Sequence, residues 1–162
     1  MNTRRVRLLL VPLVGLTAAA VAAGAGAVAS SPTPVSGTVS NTSATFNSVR
    51  AAGDNLIIGV SATAAYTGSF VGTSTINGTL ILHADGSASF HDVEVFTGSV
   101  NGVAGTVMFN LNGYNDSELA VHSTATIVSV GGGLAGLHGV LHELGTVVVP
   151  TGPVGTYSGQ IG

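Results

Sequence analysis

The chain has 162 residues, enough for one domain with a single core and too few for two. Cys, Trp and Lys are absent and only 7% of the residues are charged, which excludes a disulfide framework, a thiolate metal site, a cysteine nucleophile and a redox CxxC pair. With 45% apolar residues the chain has the material to fold.

Residues 1–29 read as a signal peptide: Arg4, Arg5 and Arg7, then an apolar run from Leu8, then a small-residue end at Ala27, Val28 and Ala29, after which cleavage is expected. Retention as an anchor is the alternative, because the run approaches the ~20 residues of a membrane span. Pro12 and the Ala- and Gly-rich second half argue against it. The expected location is secreted or extracytoplasmic. Cleavage would leave Arg50 facing seven carboxylates. A phosphate-binding surface needs clustered Lys and Arg, so nucleic acid is excluded as a partner and an anionic membrane surface is disfavoured after cleavage.

Residues 30–43 are Ser, Thr, Pro and Val, with Pro32 and Pro34 close together, and read as a flexible tether. From residue 44 to residue 162, Thr, Val, Ile and Gly alternate in short runs without a helical period, so this stretch reads as one all-β domain. Strands are expected near Ala44–Arg50, Asn55–Thr67, Phe70–His83, Ser87–Thr97, Val103–Tyr114, Leu119–Val130, His138–Val149 and Thr156–Ile161. Eight strands of this length suit a small antiparallel barrel or a sandwich. Closure is favoured, because strands so poor in charge cannot protect an open edge.

Asp85-Gly86 signals a two-residue type I′ turn. That register pairs Leu80 with His91 and Ile76 with Val95, turning Ile76, Leu80, Leu82, His91, Val93 and Val95 to the core. Asp92 and Glu94 then face solvent, with Phe90 and Phe96 as exceptions on the same side. A strict two-residue loop at Asn101-Gly102 would place Val107 and Phe109 opposite Phe96 and Glu94, on that solvent face. A one-residue slip there is expected to return Val107, Phe109 and Leu111 to the core. The strand at His138–Val149 is apolar on both faces and needs cover on both, from a packed segment or from another subunit, so a homo-oligomer is one expectation.

His138, His142 and Glu143 have the spacing of a metal motif on a helix. On a strand the two imidazoles stand about 13 Å apart, so no metal site is expected. Asp92 and Glu94 share a strand face, the minimum geometry for an acid and base pair, but solvated carboxylates on a sheet are the ordinary case. His91, turned inward by the hairpin register, is either a satisfied core histidine or the polar feature of a ligand cavity. Glu143 joins it as a cavity candidate if the odd-numbered face of its strand points inward. The run Gly131–Gly139 lacks the Gly-Lys-Ser/Thr ending and the helix of a phosphate loop and reads as a strand connection. No cofactor motif and no Gly-x-Ser-x-Gly elbow occurs, so no catalytic residue is assigned.

Gly68-Ser69 with Gly72-Thr73, the turn from His83 to Phe90, the run from Gly132 to Gly139, and Gly155-Thr156-Tyr157-Ser158-Gly159 together resemble an uncharacterised bacterial family, a domain of unknown function common in actinomycetes. The resemblance implies a barrel similar to the allene oxide cyclases and dirigent proteins, with an apolar interior and an oligomer. No position matches a cyclase or dirigent active-site motif, and a shared fold does not confer a shared activity. Three classes of function stay open. The leading one is a non-catalytic barrel that accommodates a small apolar ligand; the others are an isomerase or cyclase of that barrel group and a structural or adhesive surface module.

Overall fold

The computed structural model describes residues 31–162, and the expected signal peptide lies outside them. Eight strands follow one another: β1 (Thr33–Ala52), β2 (Asn55–Gly68), β3 (Phe70–Leu82), β4 (Ala88–Val100), β5 (Val103–Asn115), β6 (Ala120–Gly132), β7 (Gly139–Val148) and β8 (Gly152–Ile161). Each pairs antiparallel with its sequence neighbour, and β1 also pairs with β8, so the sheet closes into an eight-stranded ring with no strand left out.

Part of the expected tether is structured. Residues 33–43 form the first half of β1, where Thr, Val and Ser suit a pleated, half-exposed strand. Pro34 is tolerated because at Thr33–Ser36 β1 has β8 as its only neighbour, so fewer ladder bonds are asked of it. Pairing with β8 ends at Ser40, and beyond that point β1 has β2 alone beside it. Two register shifts, between Asn41 and Ser43 and between Phe46 and Ser48, twist this half, which is paired on one side only, a common device for protecting an edge.

The β3–β4 hairpin corrects the expected register. Leu80 pairs with Phe90 and Ile76 with Glu94, one residue away from the two-residue-loop prediction. The loop has three residues: His83 O accepts from the Gly86 N–H, His83 N–H donates to Ser87 O, and Gly86 takes a left-handed φ of 85°. Asp85 Oδ1 accepts from both the N–H and the hydroxyl of Ser87, which locks the turn. The shift flips all of β4: Phe90, Asp92, Glu94 and Phe96 point into the barrel, and His91, Val93 and Val95 point out. The slip expected at Asn101-Gly102 is then unnecessary. That turn is a strict two-residue loop with φ of 48° and 84°, and Val107, Phe109 and Leu111 pair with Phe96, Glu94 and Asp92 in the interior.

One end of the barrel is filled by Tyr66, Phe70, Phe96, Phe109 and Tyr157, whose rings pack tilted or edge to face at 5.5–6.4 Å. Leu134, from the glycine-rich β6–β7 connection, adds to this plug. The ring of Tyr157 lies over Gly37, where a Cβ would collide with it and with Thr67 O. Its hydroxyl donates to Thr67 O at 2.9 Å and accepts from the Phe70 N–H at 2.8 Å. Tyr157→Phe should therefore strand a buried N–H and lower stability by about 1–3 kcal/mol. An unchanged urea midpoint for the mutant would contradict this.

On β7, Leu141 is fully buried, while Val140, Leu144 and Val148 stay exposed on the outer face.

Candidate functional site

The alternation of β2, β3, β4, β6 and β7 brings an unusual group to the barrel interior: Tyr66, Ser74, Asp92, Glu94, Ser123 and Glu143. Ser123 and Glu143 are direct partners across β6 and β7. The Ser123 hydroxyl donates to Glu143 Oε2 at 2.8 Å, and Tyr66, from the other side of the barrel, donates to Oε1 at 3.3 Å. Both carboxylate oxygens are thus supplied with donors. Burial pushes the Glu143 carboxyl up, and these two hydroxyls pull it back.

Glu94 is placed differently. It is 1% exposed, and its Oε1 and the buried Ser74 Oγ have no hydrogen-bond partner among the described residues. Burial first, then the negative charge of Glu143, raises its pKa to about 7; the neighbouring hydroxyls of Ser74 and Tyr66 oppose the rise without closing a bond of normal geometry. Asp92, one inward position along the same strand and only half-buried, is raised to about 6 by burial, with His91 acting against and Glu143 with the rise. Tyr66 is held well above its ordinary value by burial and by the two glutamates. The arrangement separates two roles: Glu143 is supplied with donors for its charge, and Glu94 favours its proton.

Of the two expected cavity candidates, Glu143 lies inside the barrel and His91 does not. His91 is exposed on the outer wall, its Nδ1–H donating to Asn112 Oδ1 at 2.7 Å. The β3–β4 register is the reason, and it also brings in Asp92 and Glu94, which were expected to face solvent. His138 and His142 are both exposed, against Gly136 O and Thr124 Oγ1 respectively. Among the described residues no group of three His, Asp or Glu is placed to hold a metal ion. Tyr66, Ser74 and Ser123 were missed. Nothing local distinguishes them, since Tyr66 and Glu143 meet across 77 residues of sequence.

A second feature adjoins the cluster. Where β1 runs on past β8, its inward-facing side chains are uncovered: Phe46 is 65% exposed and Val49 58%, with Leu56 of β2 beside them at 38%. This apolar notch continues inward. Phe46 pairs with Val60, Val60 with Gly78 and Gly78 with Asp92, forming one inner row from the notch to the carboxylates. Gly78 offers no side chain, and the Asp92 carboxylate folds over it into the space that a Cβ would take.

These elements define a small antiparallel barrel with an acidic, hydroxyl-lined interior. A family model described as "Protein of unknown function (DUF3224)" matches residues 35–145, and the chain belongs to that family. The matched stretch includes all six residues of the interior cluster. A solved structure of a protein of unknown function from the DUF3224 family, from Shewanella oneidensis MR-1, is similar with a TM-score of 0.66 at 18% identity, covering 82% of this chain and 98% of that one. At that identity the likeness concerns the fold. A comparison with curated proteins finds no match.

Proposed function

We propose that the protein is a secreted, non-catalytic barrel that binds a small apolar ligand at the notch between the free half of β1 and the start of β8. The observation that carries this reading is the exposure of Phe46, Val49 and Leu56 on the inner face, an apolar surface that a water-soluble barrel leaves open at the cost of its hydration. The reading takes residues 1–29 as a cleaved export signal and the barrel as similar to the allene oxide cyclase group. It allows a homo-oligomer through the exposed Val140, Leu144 and Val148 of β7.

The neutral dye N-phenyl-1-naphthylamine tests it. Emission should rise on adding the protein, and Phe46→Ser should reduce the rise several-fold while leaving the thermal midpoint nearly unchanged, because Phe46 is mostly exposed. No emission change with the wild-type protein, or equal binding by the mutant, overturns the reading. Sedimentation run in parallel identifies a second copy seated on the notch, which would also overturn it.

One observation favours a second reading, an isomerase or cyclase. Glu143 with two donors and Glu94 with an unpartnered Oε1 make a base and an acid within one apolar interior. Incubating a natively co-purified ligand with wild-type protein and with Glu94→Gln should then yield an isobaric product from the wild type alone. Identical mass-spectrometric profiles would remove this reading.

A further inference from the structure

The charge inside the barrel is uncompensated. Asp92, Glu94 and Glu143 face one another's field within it, and Arg50, the one Lys or Arg among the described residues, is exposed near the tip of the β1–β2 hairpin, paired with Ile57 on the outward side. Buried anions need a proton, a donor set or a cation. Glu143 has its donors, whereas Glu94 Oε1 and the Ser74 hydroxyl, both more than nine-tenths buried, have none. A carboxylate or phosphate ligand would meet repulsion here, and an uncharged one would leave the deficit in place.

We propose that the notch takes a small apolar amine, with its hydrocarbon body along Phe46 and Val60 and its ammonium group against the Asp92 carboxylate where that leans over Gly78. The inference rests on the apolar-ligand reading above and names the ligand class. Geometry sets the length: Phe46 and Asp92 lie three strand spacings apart in one inner row, about 14 Å at ~4.8 Å per strand. Gly78 leaves the only side-chain gap in that row, and the Asp92 carboxylate leans into it, which brings the anion toward Val60 and the apolar notch.

Binding has a proton balance. The amine arrives as R–NH3+, its pairing with Asp92 favours the ionised interior, and a proton held by Asp92 or Glu94 leaves to solvent; no covalent bond is made or broken. The groups that face these carboxyls are Glu143 from β7, Tyr66 from β2 and Ser74 from β3, with His91 on the outer side next to Asp92. None supplies a competing cation inside the barrel.

The test is calorimetry on the full chain with n-octylammonium chloride, n-octanol and sodium octanoate, near pH 7 and in two buffers of different ionisation enthalpy. Octylammonium should bind about tenfold or more tightly than octanol, octanoate should not bind, and the buffer dependence should reveal proton release with octylammonium alone. Asp92→Asn should remove the advantage of octylammonium and leave octanol unchanged. Phe46→Ser, at an exposed position, should weaken both. Equal affinity for octylammonium and octanol, preferred binding of octanoate, or an unaffected Asp92→Asn overturns the amine inference and leaves the apolar-ligand reading standing. If no probe binds and the neutral dye also fails, both fall together.

Discussion

Between about pH 5 and about pH 8 the folded barrel is expected to lose stability as the pH rises, by roughly 3 kcal/mol from Glu94 alone. In the unfolded chain Glu94 titrates near its ordinary 4.5, and in the barrel near 7, so within this window the folded state holds a proton that the unfolded state lacks. Stability then falls with pH, being fully present below the unfolded value and lost as the pH passes through the folded one. The direction is opposite to that of a salt-bridged carboxylate. Asp92, raised from 3.8 to about 6, acts the same way at slightly lower pH, and Glu143 does so in direction. Because the three groups share one field, their contributions do not simply add. Asp85 is the exposed exception: the hydroxyl and N–H of Ser87 lower its pKa, so its small effect favours the folded state as the acid range is left. Urea midpoints measured across the range provide the check. Glu94→Gln should flatten the slope and raise the midpoint at the alkaline end, and a wild-type midpoint that climbs from acid to neutral pH would refute the account.

The strand count and nearly every strand position were legible because glycine-bearing turns punctuate runs of alternating Thr, Val and Ile. The interior cluster was not, and one turn explains most of the difference. Asp85-Gly86 fits both a two-residue type I′ loop and a three-residue loop in which Gly86 takes the left-handed position, and the two differ by one residue of register. The shorter loop left two anomalies in the sequence: Phe90 and Phe96 on a solvent face, and Val107 and Phe109 opposite it. A separate irregularity at Asn101-Gly102 removes the second anomaly and leaves the first. A single shift at Asp85-Gly86 removes both, and aromatic side chains were therefore a better guide to the inner face of β4 than its valines. Once β4 turns over, Asp92 and Glu94 enter the barrel and His91 leaves it. The first half of β1 was hidden for another reason. Its Ser, Thr and Pro composition resembles a linker, and only pairing with β8, more than a hundred residues away in the chain, makes it a strand.

The aromatic plug supplies the other large effect: Phe70→Ala is expected to cost about 3–5 kcal/mol. Phe70 is the first residue of β3, fully buried, and its ring touches four others, Tyr66, Phe96, Phe109 and Tyr157, drawn from four different strands. Truncation removes one ring's burial and leaves a space its neighbours cannot easily fill, because each is fixed by its own contacts. Tyr157 is held by hydrogen bonds to Thr67 and Phe70, and Tyr66 by its bond to Glu143. A loss of this size is a large part of the 5–15 kcal/mol that stabilises a typical domain, so the urea midpoint should drop steeply while the cooperativity of unfolding persists. Phe46→Ala is the matched control: the same atoms are deleted from a side chain that is 65% exposed, and the midpoint should move by well under about 1 kcal/mol. Equal losses for the two variants would mean that the plug does not hold the barrel closed, and that the ring of strands draws its stability from backbone pairing instead.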